Sequence, residues 1–211
     1  MKKTLVLLIL ASNCFSSVLK RGDFQLWNAM HTTFQLKDHL GLKLEGEVRT
    51  GNDVSEVFFV YGQASIEYKP VKWFLLGGGY RHQWIFLDSK WFNVYSPLLD
   101  VKGIWIIDHF GITNRNRVQY LIIENDKHRW LYRNRLRFSY QIDSWKMRPF
   151  IDDEVFFLQG GGFVQNRATA GIIFLLDDWI NLDLFYMLRH LSVDSHFRHQ
   201  NVFGLYLNFF F

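Results

Sequence analysis

The stretch from Trp130 to Ile142, WLYRNRLRFSYQI, puts Trp130, Tyr132, Asn134, Leu136, Phe138, Tyr140 and Ile142 at every second position and Arg133, Arg135 and Arg137 between them. A β-strand sends successive side chains to opposite faces, so this segment has an aromatic, apolar wall on one side and a ladder of guanidinium groups on the other. A helix would scatter both sets around its circumference. Three arginines on one face need water or acids beside them, and the other face is too apolar for an exposed soluble sheet. A transmembrane β-barrel meets both demands, with hydrocarbon outside and a polar lumen inside.

The bulk composition agrees. Aromatic residues make up 18% of the 211, with 21 phenylalanines, yet mean hydropathy is -0.05. No run approaches the roughly 18 apolar residues of a helical span. A barrel resolves the mixture because half of each strand is apolar and half polar. One domain is the natural reading of this length.

The start of the chain reads as a secretory signal over residues 1–16: Lys2 and Lys3, an apolar run from Leu5 to Ala11, then Cys14 and Ser16 as a small-x-small cleavage site. A buried strand is the alternative. Asn13 before Cys14 fits a lipoprotein site poorly. Cleavage after Ser16 removes the single cysteine, so the mature chain needs no disulfide. Without Lys2 and Lys3 the 24 basic residues fall to 22 against 20 acidic ones, a balance that gives no case for nucleic-acid binding.

From residue 40 to 211, segments of about ten alternating residues are separated by polar or glycine-bearing breaks. Breaks near residues 38, 70, 109, 144 and 177 read as tight; those near 53, 90, 126, 160 and 195, including Ile85 to Ser96 and Ser192 to His199, read as longer. Short turns on one rim and long loops on the other suit a bacterial outer-membrane barrel. Trp73, Trp105, Trp145 and Trp179 fall by the tight turns, and Trp84, Trp91 and Trp130 by the long loops, which implies two interfacial belts. Parity favours about ten wall strands, with twelve as the alternative, because an even count leaves both termini on one side. Residues 17–39 alternate weakly and are expected to line the lumen or to pair in parallel as an odd strand.

The chain resembles an uncharacterised family of bacterial outer-membrane β-barrels known only as a domain of unknown function. The similar stretches are DFQLW from Asp23, LKLEGEVRTG from Leu42, LGGGYR from Leu76, RNRVQY from Arg115, WLYRNRLRF from Trp130, DEVFF from Asp153, GGFVQNR from Gly161 and NVFGLYLNF from Asn201. The resemblance implies the fold and supplies no activity. Phe209 and the terminal Phe211 look like the signal read by outer-membrane assembly machinery.

Candidate chemistry sits on the polar faces. Arg115, Arg117, Arg133, Arg135, Arg137 and Arg167 with Asp152 and Glu154 read either as an anion-selective constriction or as an internal ion-pair network, and the narrow interior favours the network. Strict alternation would point Asp153 outward, and a β-bulge is expected to return it to the lumen. His190 and Ser192 form a His-x-Ser pair like that of lipid A deacylases, with no well-placed carboxylate to orient the histidine. His190, His196 and His199 lack the spacing of a metal site, and Gly77 to Gly79 sits inside a strand rather than in a phosphate loop. No catalytic residue, metal or cofactor is therefore assigned. The expected setting is the outer membrane, reached by Sec export and barrel assembly machinery, with lipid and lipopolysaccharide as neighbours and a monomeric state.

Overall fold

The computed structural model describes residues 22–87, 89–124, 126–193 and 196–211. The expected signal over residues 1–16, Cys14 included, lies outside the described residues. So do residues 17–21.

Among the described residues eleven strands form one closed barrel. They are β1 (Phe24–Lys37), β2 (Leu40–Gly51), β3 (Glu56–Val71), β4 (Phe74–Leu87), β5 (Lys90–Ile107), β6 (Phe110–Ile123), β7 (Arg129–Tyr140), β8 (Met147–Leu158), β9 (Gly162–Asp177), β10 (Ile180–Val193) and β11 (His196–Phe210). Each pairs with its sequence neighbours in antiparallel fashion, and β1 closes the ring by pairing in parallel with β11. Phe211 and the breaks 38–39, 72–73, 108–109, 141–146 and 178–179 lie on one end, here the Phe211 rim. The remaining breaks lie on the opposite rim.

The all-β barrel expectation holds, and the count of eleven falls between ten and twelve. The preference for ten wall strands is corrected: β1 is part of the wall, in the parallel arrangement foreseen as one of its options. Its alternation reads weakly because Gln25, Trp27 and Ala29 point inward and are buried, while Phe24, Asn28 and Met30 point outward and are exposed. An aromatic inside and an amide outside reverse the usual barrel pattern. Parity fails as an argument because a parallel seam needs no even count.

Two expected loops are corrected as well. The described residues of 85–96 and 192–199 are mostly strand, since β4 runs to Leu87, β5 begins at Lys90, β10 runs to Val193 and β11 begins at His196. The expected contrast between tight and long breaks is therefore largely absent. At 12 to 18 residues the strands exceed the roughly 9–11 needed to cross a bilayer core. Register shifts where β2 meets β3, between Arg49 and Thr50, and where β8 meets β9, between Phe156 and Phe157, are bulges near the opposite rim. They leave Phe58 beside Phe59 and Val164 among the buried side chains.

Candidate functional site

The pleat and the register decide which charges meet inside. Arg115 stands opposite Arg135, and Arg117 opposite Arg133, across β6 and β7. These like-charged pairs need acids from the flanking strands. On one side β8 sets Glu154 opposite both Arg135 and Arg167, and Asp152 opposite Arg137. On the other, β5 sets Asp100 opposite Arg117.

Glu154 is the hub. Its Oε1 accepts from Arg115 Nη2 at 2.7 Å and from Arg133 Nη2 at 2.9 Å, and its Oε2 lies 3.5 Å from Arg167 Nη1. Arg117 grips both oxygens of Asp100, at 2.9 and 2.6 Å, and also donates to Gln63. Arg137 donates twice to Asp152 Oδ2, at 2.8 and 2.5 Å. Fork-shaped, charge-assisted bonds of this kind fix geometry as well as neutralise charge. Seven of the eight network residues expected from sequence are joined in this way. Arg135 faces the same space, and among the described residues no carboxylate oxygen lies within ion-pair reach of it.

Other members of the lumen lie on the polar faces that alternation gives β2 and β4. Glu47 accepts from Arg49 and from the Tyr206 hydroxyl at 2.8 Å, and Glu45 lies 2.5 Å from Lys43 Nζ and 3.4 Å from Arg81 Nη2. Trp27 is buried inside the barrel, with the guanidinium carbon of Arg49 3.6 Å from its ring centre and that of Arg167 at 4.8 Å. Stacking on an aromatic face stabilises a desolvated cation. Arg49 and Arg81 alternate with Glu47 and Gln83, a cue available in the sequence. No such cue marks Trp27.

Towards the opposite rim the interior turns apolar. Phe59, Ile85, Leu87, Val94, Leu121, Ile123, Leu131, Phe156 and Leu158 pack together with Val164, each at most 8% exposed. Their inward positions continue the polar faces of the same strands. The lumen is thus filled by hydrocarbon at one end and by ion pairs across its middle. A cavity of about 200 Å³ remains among the charged groups. Side-chain exposure rises from 2% at Arg117 to 22% at Arg137 and 23% at Lys43, so the cavity opens towards the Phe211 rim.

The outward wall carries the other singled-out residues. Trp73, Trp84, Trp91, Trp105, Trp130, Trp145 and Trp179 are exposed. Phe209 and Phe211 stack with ring centres 6.5 Å apart and each lies against Trp179, while Phe211 is hydrogen-bonded through its backbone to Thr33 and Gln35 of β1. Asp153 corrects an expectation: the β7–β8 register is continuous through it, so it points outward with no bulge. Its Oδ1 accepts from Asn166 Nδ2 at 2.7 Å, which partly satisfies the charge. Asn166 stands opposite His190 on β10, and His190 meets His199 of β11 edge-on at 4.7 Å. Ser192 shares that face; the side chain of His196 lies outside the described residues.

On the opposite rim Asp23 is 1% exposed and accepts from Gln25 Nε2 at 2.9 Å and from the Asp53 N–H at 3.0 Å. Burial nevertheless pushes its carboxyl above the ordinary range, outweighing both bonds. At the exposed Glu124, bonds from the Asn93 amide and N–H hold the carboxyl below it.

Fold and interior define a class: a closed β-barrel with an apolar outside and a lumen filled by paired charges. The chain belongs to the family described as protein of unknown function (DUF2490), whose model matches residues 24–201. No curated protein matches it.

Proposed function

We propose that this chain is a monomeric outer-membrane barrel of a Gram-negative-type bacterium, exported through Sec and inserted by barrel assembly machinery, whose lumen does not conduct. Lipid and lipopolysaccharide surround the wall, the Phe211 rim faces the periplasm, and the barrel serves as a scaffold rather than a pore. The observation that carries this reading is the filled lumen: an apolar cap over a guanidinium–carboxylate network, leaving about 200 Å³. A selective pore needs a continuous water path lined by its charges, and the cap interrupts it. Purified protein in planar bilayers is expected to give no steady single-channel current. A stable, anion-preferring current that falls in Arg135→Glu would overturn the reading in favour of a channel.

A second reading is a surface esterase. His190 and Ser192 share the outward face near the opposite rim, and the Asp153–Asn166 hydrogen bond beside His190 brings into the neighbourhood a carboxylate that spacing along the chain does not give. In this reading His190 would take the Ser192 proton during attack on a lipid ester. Ester hydrolysis in mixed micelles that is lost in Ser192→Ala would support it; hydrolysis unchanged by that substitution counts against it.

A further inference from the structure

We infer that the cavity on the Phe211 side of the lumen is a binding site for a small, soluble oxyanion of the phosphate class, held by Arg135 with Arg115, Arg137 and Lys43. The inference rests on a closed lumen and goes beyond it, since a scaffold needs no ligand.

The argument starts from which acids are already engaged. Glu154 is shared by Arg115, Arg133 and Arg167, Asp152 is held by Arg137, and Glu45 lies between Lys43 and Arg81. Asp183 lines the same cavity, accepts from Asn208 Nδ2 at 2.9 Å and stands beyond ion-pair reach of Arg135. Arg135 is therefore a guanidinium facing an internal cavity without an acid of its own. A scaffold network has no use for that surplus.

Donors without acceptors belong to residues of the same lining. Among the described residues Arg115 and Arg167 each keep a buried Nε with no hydrogen-bond partner. Both residues line the cavity. Buried donors normally find acceptors, so the lining carries more donors than its own acids satisfy. The space holds roughly six or seven waters. That is ample for a tetrahedral oxyanion, and a guanidinium fork matches two of its oxygens. The site opens inside the ring of strands, so the ligand comes from water and not from a lipid headgroup.

The test uses the folded barrel in uncharged detergent with inorganic phosphate as probe, titrated by calorimetry and by phosphorus NMR line width. Saturable binding is expected, weakened about tenfold or more in Arg135→Gln and less in Arg135→Lys. Lys90→Gln, on the opposite rim, should bind as the unaltered protein does. Heat-modifiable migration on gels confirms that each variant is folded. No saturable binding at millimolar phosphate, or equal binding by Arg135→Gln, would overturn the site. Such a failure leaves the bilayer current unchanged at zero, so it is distinguishable from a failure of the closed-lumen reading.

Discussion

Glu154 shows what a single residue does in this interior. Three guanidinium groups converge on one carboxylate with 5% of its side chain exposed, so its charge offsets repulsion among them as well as satisfying their donors. Removing one partner of a buried ion pair typically costs about 3–5 kcal/mol, because the remaining charge is left without compensation. Glu154→Gln should therefore lower unfolding stability by roughly that amount in urea titrations of the vesicle-inserted barrel. A loss below about 1 kcal/mol would mean the cluster is hydrated and loosely held. That Arg133 and Arg137 share the lumen with Asp152 and Glu154 was legible in the sequence, since alternation alone put all four on inward faces of adjacent strands; which arginine meets which acid was not. Nor were the positions of Trp27 and Leu87. A period of two says which residues share a face, but an apolar residue on the inward face looks the same as one that has slipped register.

At the scale of elements the telling case is β1. Its parallel pairing stood only as one option among several because its two faces carry the wrong kinds of side chain for a barrel wall, and because a parallel seam breaks the rule of even strand number. What fixes it is backbone pairing on both sides, ten residues with β11 and a longer run with β2, closed at the end by the Phe211 bonds to Thr33 and Gln35. Met30 and Leu207 are direct partners across the parallel seam. Neighbouring strands lie about 4.8 Å apart, within disulfide range. In a Cys14→Ser background, Met30→Cys with Leu207→Cys should therefore cross-link on oxidation. Failure to cross-link, while Met30→Cys with Gly46→Cys across the β1–β2 pair succeeds, would show that the seam is open.

For the molecule as a whole, strand edges and ring closure explain why the sequence alone misjudged loops but identified the fold. Residues 85–96 and 192–199 looked like loops because their polar and aromatic residues interrupt the alternation, yet hydrogen bonding to neighbouring strands keeps 85–87, 90–96, 192–193 and 196–199 extended beyond the length a bilayer requires. A closed ring leaves no unpaired edge, which is the condition for placing a sheet in hydrocarbon. The inside of this barrel is filled too. Spin labels placed one at a time at residues 130–140 of β7, in reconstituted bilayers, address both halves of that statement. Collision rates with oxygen should peak at positions 132, 134, 136 and 138, while positions 133, 135 and 137 stay sheltered from oxygen and largely from a bulky water-soluble nickel chelate. Free access of the chelate to 131 and 133 would mean an open water path through the lumen, and shelter from oxygen at 136 and 138 would mean that this face packs into protein instead of lipid.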